Sequence, residues 1–173
     1  MTDTMVRMGE LAATAATDEQ LVTLGLGSCI GLALLDRRAG IAGLAHIVLP
    51  DSGANGQVNQ FKFADRAVPE LIDLVVALGA HRSTLEAVLV GGASMFAAIG
   101  STMEIGARNE DAVRNALAAR HIAVSEAATG GARGRSIRVD PAAGTVTFRE
   151  AGGTDTQLHP ATKLPIRTLQ EVA

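Results

Sequence analysis

The sequence predicts a single mixed α/β domain, and three features carry that prediction. Apolar strand-like runs cover residues 22–35 and 41–49, apolar residues at helical spacing mark two later segments, and an alternating hairpin closes the series. The hairpins require antiparallel pairing, so a mixed sheet with helices on the outside fits better than a purely parallel wound sheet.

Residues 1–20 are rich in Ala and Thr with only a weak apolar pattern, and read as a partly ordered lead-in. Val22 to Leu35 reads as one strand that bends at its glycines, Gly25, Gly27 and Gly31. Asp36 to Gly40 supplies turn residues, Ile41 to Leu49 the return strand, and Pro50 to Gly56 a loop. Phe63, Ala67, Leu71, Leu74, Val75 and Leu78 predict an amphipathic helix stopped by Gly79, with Pro69 either a kink or its true first turn.

Leu85 to Val90 predicts a strand running into Gly91-Gly92-Ala93-Ser94-Met95-Phe96. A second helix is predicted over Asn109 to Arg120, with Glu110 and Asp111 near its start, where the helix dipole favours acids. Ile122 to Ala127 predicts a further strand, and Ser136 to Val139 and Thr145 to Phe148 alternate across Asp140-Pro141-Ala142-Ala143-Gly144 as a β-hairpin. The domain is thus expected over residues 21–150, with 151–173 a polar tail.

Composition narrows the function. A net charge of -3 without a Lys/Arg cluster, and four Phe with no Trp or Tyr, leave little for counterion-driven or stacking-based nucleic-acid binding. One cysteine suits a reducing compartment, and no signal peptide or membrane span stands out, so the expectation is a cytoplasmic protein.

That cysteine, Cys29, sits in Gly25-Leu26-Gly27-Ser28-Cys29-Ile30, a near miss for a dinucleotide fingerprint. Ile30 occupies the third glycine's place, and strand-like residues follow. Gly91-Gly92 lacks the lysine of a phosphate-binding loop. A lone cysteine is most often a small core hydrophobe, and His46, in an apolar run, a satisfied core histidine. Two such residues cannot complete a metal tetrahedron, and His81, His121 and His159 read as surface residues.

Together, Cys29, His46 and Thr23 allow definite chemistry. A thiolate attacks, an imidazole carries the thiol proton to a leaving group, and a threonine hydroxyl orients the ring. Backbone N–H groups near Ser28 and Cys29 could stabilise an oxyanion, with Gly27 and Ser28 as the supporting positions.

Five motifs in order then become specific: Thr23-Leu-Gly-Leu-Gly-Ser-Cys29, Gly43-Leu-Ala-His-Ile-Val-Leu-Pro50, Val90-Gly-Gly-Ala-Ser-Met95, Ile105-Gly-Ala-Arg-Asn109 and Gly130-Gly-Ala-Arg-Gly-Arg135. They resemble the motifs of the chemoreceptor glutamine deamidase family CheD, over about Leu21 to Arg149. Ala107 and Ala132 depart from the family's usual Glu and Thr.

The resemblance implies a cysteine hydrolase that converts receptor glutamines to glutamate through a thioester. Its nucleophile would be Cys29, with His46 and Thr23 completing the triad and no metal or organic cofactor. It implies a fold similar to the catalytic domain of cytotoxic necrotizing factor toxins, with mixed sheets and outer helices. Its expected partners are the cytoplasmic domains of methyl-accepting chemotaxis receptors and a CheC-type phosphatase. A regulatory binding module paired with that phosphatase, a receptor methylesterase and a redox-sensing thiol are the alternative readings.

Overall fold

The apolar run after Glu19 forms two strands that belong to different sheets. The chain was followed in a computed structural model that describes residues 1–55, 58–94 and 103–160. Strand β3 is Glu19–Leu26 and strand β4 is Ile30–Asp36. The expected single bent strand is corrected accordingly: Gly27-Ser28-Cys29 is a crossover between sheets, because three residues without ladder pairing let the chain change layers.

Among the described residues, the two sheets have five strands each. β1 (Thr2–Met5), β3, β8 (Arg135–Asp140), β9 (Thr145–Glu150) and β10 (Thr156–His159) form the first, in that order. β2 (Leu11–Thr14), β5 (Ile41–Ile47), β4, β6 (Glu86–Gly91) and β7 (Val124–Thr129) form the second. Both are mixed, since β1 pairs parallel with β3 and β6 parallel with β7 while the remaining pairs are antiparallel. Helices α1 (Ala64–Ala77) and α2 (Met103–Ala118) both cover the second sheet, giving layers of sheet, sheet and helices.

Burial explains the sequence patterns. The second sheet is covered on both faces, so β4 and β5 are buried at every position and show no alternation. Ile30, Leu32 and Leu34 face the helices, while Ala33 and Leu35 join Leu21, Ile137, Val139 and Val146 between the sheets. The first sheet has one inward face, and β8 alternates accordingly. Each fully buried leucine contributes about 2 kcal/mol through the water it leaves.

Several expectations meet the structure directly. The hairpin of β8 and β9 pairs Asp140 with Thr145, and β5 returns antiparallel to β4. Pro69 lies inside α1 and not in its first turn. The second helix begins before Asn109, so Glu110 lies mid-helix, where it pairs with Arg114 at 3.0 Å and accepts a hydrogen bond from Thr129 at 2.8 Å.

The lead-in is ordered as β1 and β2, which join opposite sheets, because backbone pairing compensates for its weak apolar pattern. The polar tail contributes β10, whose His159 is buried and hydrogen-bonded to Glu86 of β6, not exposed as expected. Gly56, Met95, Phe96 and residues 161–173 lie outside the described residues. Among the described residues, no helix is long and apolar enough to cross a membrane.

Candidate active site

Cys29 and His46 lie toward the same end of the second sheet. Cys29 immediately precedes β4, and His46 pairs with Gly31 across the β4–β5 ladder. Odd positions of β4 and even positions of β5 face the space between the sheets, where Ala33, Leu35, Ala42, Leu44 and Cys29 pack. His46 therefore turns its ring to the same face as Cys29. Cys29 precedes the first ladder pair, Ile30–Ile47; that register continued by one residue would make it a diagonal neighbour of His46, a relation that spans roughly 7 to 8 Å at the backbone.

Thr23 approaches from the other sheet. It pairs with Ile137, and a methyl placed on Gly31 would sit 3.2 Å from Ile137 Cγ2, so the Thr23–Ile137 and Gly31–His46 pairs face each other. Thr23 is completely buried and its hydroxyl donates to the Val6 carbonyl. The expected direct bond from Thr23 to the ring is therefore not what this hydroxyl makes: its hydrogen is committed to Val6.

Burial governs both titrating groups. It pushes the Cys29 thiol up, with the residue's own backbone N–H partly offsetting the shift. It pulls His46 down, while the nearby Val6 carbonyl and the charge of Glu10 act in the opposite direction. The carbonyl's influence is one of proximity: among the described residues, neither ring nitrogen makes a hydrogen bond of good geometry. The resting pair is accordingly a neutral thiol and a neutral imidazole, both almost enclosed, at 9% and 3% exposure.

The N-terminal segment pairs with the backbone on both sides of this site, a role the sequence reading missed. Val6 N–H donates to the Val22 carbonyl, Gly9 N–H to the His46 carbonyl at 3.0 Å, and His46 N–H to the Glu10 carbonyl at 3.0 Å. Backbone bonds carry this arrangement, so side-chain chemistry in the sequence offers almost no signal for it.

The Cys29 turn is held from behind. The Gly27 carbonyl accepts from Ala93 N–H and the Cys29 carbonyl from Gly92 N–H, both at 2.8 Å. The Ser28 carbonyl accepts from Asn109 Nδ2 at 2.9 Å. Gly91 must be glycine here: its φ is 116°, and a Cβ would lie 2.2 Å from the Cys29 oxygen. Gly106 lets α2 approach, since a Cβ there would meet the Gly92 oxygen at 2.5 Å.

Residues 48–150, more than half of the chain, match the family described as CheD chemotactic sensory transduction. The chain belongs to the CheD family.

Curated CheD relatives agree with that match. A "Probable chemoreceptor glutamine deamidase CheD" of Clostridium botulinum (strain Eklund 17B / Type B) is 43% identical over 140 residues, covering 79% of this chain and 86% of the relative. Proteins of the same description from Geobacillus kaustophilus and Methanococcus vannielii are 42% and 41% identical. They cover 75% and 84% of this chain, and 81% and 93% of their own lengths.

The match to the CheD family begins at Val48, just after His46, so Cys29, His46 and Thr23 precede the matched span. Two of the CheD-like motifs nevertheless bond the Cys29 turn, and a third braces Gly91 beside it. Gly92 and Ala93 bind its carbonyls, Asn109 joins Ser28 to Val48 at 2.9 Å each, and Arg135 bonds the Gly91 and Gly130 carbonyls at 3.2 and 2.7 Å. The Asn109 and Arg135 contacts were not foreseen as site features; their place in the recurring motifs was the available signal.

A large open cleft, about 610 Å³, lies elsewhere, between Pro50, Asp65, Arg108 and Arg120. Neither Cys29 nor His46 lines that cleft. Among the described residues, no group of three His, Cys, Asp or Glu side chains could hold a metal ion.

Proposed function

We propose that this chain deamidates glutamine side chains on the cytoplasmic domains of chemoreceptors, with Cys29 as nucleophile and His46 as proton carrier. The observation that supports the reading is that buried Cys29 lies two residues before Gly31, the ladder partner of buried His46, in a chain of the CheD family. The names of its relatives supply the substrate class. An enclosed thiol also suits a slender side chain that carries its carboxamide on two methylenes.

Both groups rest neutral, so attack is coupled to transfer of the thiol proton to the imidazole. Sulfur bonds to the carboxamide carbon, and the carbonyl pair moves to oxygen. His46 then returns the proton to nitrogen as the carbon–nitrogen bond breaks and ammonia leaves, with a thioester remaining on Cys29. Water, deprotonated by His46, adds to the thioester. The carbon–sulfur bond breaks, the thiol recovers its proton, and the product is glutamate. The N–H groups of Ser28 and Cys29 support the oxyanion in both steps, and Thr23 steadies the ring through Val6.

The test is ammonia release from a purified receptor cytoplasmic fragment, with mass spectrometry locating the amide-to-acid conversion. Release by the wild type and its loss in both C29A and H46A is the expected result. Release that survives C29A sinks the mechanism, and no release by a folded wild type sinks the activity.

A further inference from the structure

Asn109 lies on α2, outside the three residues expected to do the chemistry, and is completely buried. Its Nδ2 donates to two carbonyls at once: Ser28, the residue before the nucleophile, and Val48, two residues after His46. A carboxamide nitrogen has two hydrogens, and both are used on the two segments that carry the candidate nucleophile and base. Those acceptors also fix which end of the amide faces them, because an oxygen there would oppose two carbonyl oxygens.

The consequence follows from peptide planarity. The Ser28 C=O and the Cys29 N–H belong to one trans peptide unit and point in opposite directions. By holding the carbonyl toward α2, Asn109 turns the Cys29 N–H away from the helix. The units on either side are held in the same manner, through Gly27 to Ala93 and Cys29 to Gly92. Three successive peptide planes are therefore set by their carbonyls, and the middle one depends on a side chain.

We infer that Asn109 is a positioning residue that sets the Cys29 N–H as an oxyanion donor for acyl transfer. The inference rests on the reading of Cys29 as the nucleophile of a glutamine deamidase. Asn109 touches no reacting atom, and acts through the Ser28–Cys29 peptide. Loss of an oxyanion donor typically lowers kcat by about 100- to 1,000-fold, and loss of its orientation alone should lie nearer the lower figure.

The test compares wild type, N109L and V113A in three measurements on the full chain: kcat and KM for ammonia release from the receptor fragment, the rate of Cys29 alkylation by iodoacetamide, and Tm. Val113 is fully buried on the same helix, and its truncation supplies a destabilised chain in which the Asn109 contacts are intact. Alkylation is a displacement at saturated carbon with no oxyanion, so it reports the thiol and not the donor.

The expected result for N109L is a kcat loss of roughly 30- to 100-fold with KM within threefold and alkylation within threefold of wild type. V113A should lower Tm while its kcat stays near wild type. A kcat within threefold of wild type in N109L overturns the inference and leaves the deamidase reading standing. Parallel losses in kcat and alkylation make Asn109 a structural strut and overturn it likewise. A wild type that releases no ammonia overturns the deamidase reading, and this inference with it.

Discussion

The buried hydroxyl of Thr23 donates to the carbonyl of Val6, and this bond adds to that of Val6 N–H with Val22 in tying the first sheet to the segment that pairs with the His46 backbone. Removing the donor leaves a buried carbonyl without this partner, which costs about 1 to 3 kcal/mol. T23V, nearly the same shape, is expected to lose stability in that range and roughly tenfold in kcat through a displaced Val6–Gly9 segment. T23S keeps the donor and should stay near wild type in both. Chemical denaturation and ammonia release measure the two effects; a stable, fully active T23V would show that the bond has no such role.

Gly91 gives a sharper prediction. Alanine there would place a Cβ 2.2 Å from the Cys29 carbonyl oxygen on a backbone with φ of 116°, and no flexible side chain can move aside. The Cys29 turn must shift instead. G91A is expected to cost several kcal/mol and at least about 100-fold in kcat, since displacements of about 1 Å suffice for such losses. Retained activity would mean that the turn tolerates a different path.

His46 predicts a pH dependence with a definite sign. Burial holds its ring below the ordinary value of 6.5, so the unfolded chain takes up the proton first. Its contribution to stability is complete above 6.5 and is lost as pH falls from there through the folded value. Wild type should therefore lose stability across this window more steeply than H46Q in parallel denaturation series. The acid limb of kcat/KM should also fall below 6.5, because the base must be neutral to accept the thiol proton.

Asp36 is the corresponding acid, at the opposite end of β4. Burial opposes its ionisation, but N–H donors from His81, Ala39 and Arg38 and the Thr84 hydroxyl together outweigh it and hold the carboxyl below 3.8. Its contribution is full above 3.8 and lost as pH falls through that value toward the folded one. D36A should destabilise the chain by about 2 to 4 kcal/mol at neutral pH, with the difference from wild type shrinking in acid. Equal midpoints in urea at pH 7 would contradict this.

Much of the architecture was legible because local chemistry and tertiary context agree there. The Asp140–Gly144 turn between alternating strands, the apolar stripe of α1 and the return of β5 are dictated within a few residues of chain. Where they disagree, the long-range contact prevails. The first twenty residues lack a strong apolar period, yet backbone pairing with β3 and β5 orders them as strands. Gly106 looks like a helix breaker, but its missing side chain admits α2 against Gly92, and the helix runs through it.

The candidate site divides in the same way. Residue types and their order in the chain singled out Cys29, His46 and Thr23, because reactive side chains within apolar runs are visible without a structure. Their arrangement was decided by the fold. The chain changes sheets at Gly27-Ser28-Cys29, which puts Thr23 in one layer and His46 in the other, and an antiparallel register sets Gly31 opposite the histidine. The contacts from Val6, Gly92 and Asn109 come from segments distant in sequence and mostly act through backbone atoms, which every residue possesses. A sequence distinguishes side chains, whereas the direction of a peptide group is determined only once the surrounding chain has packed.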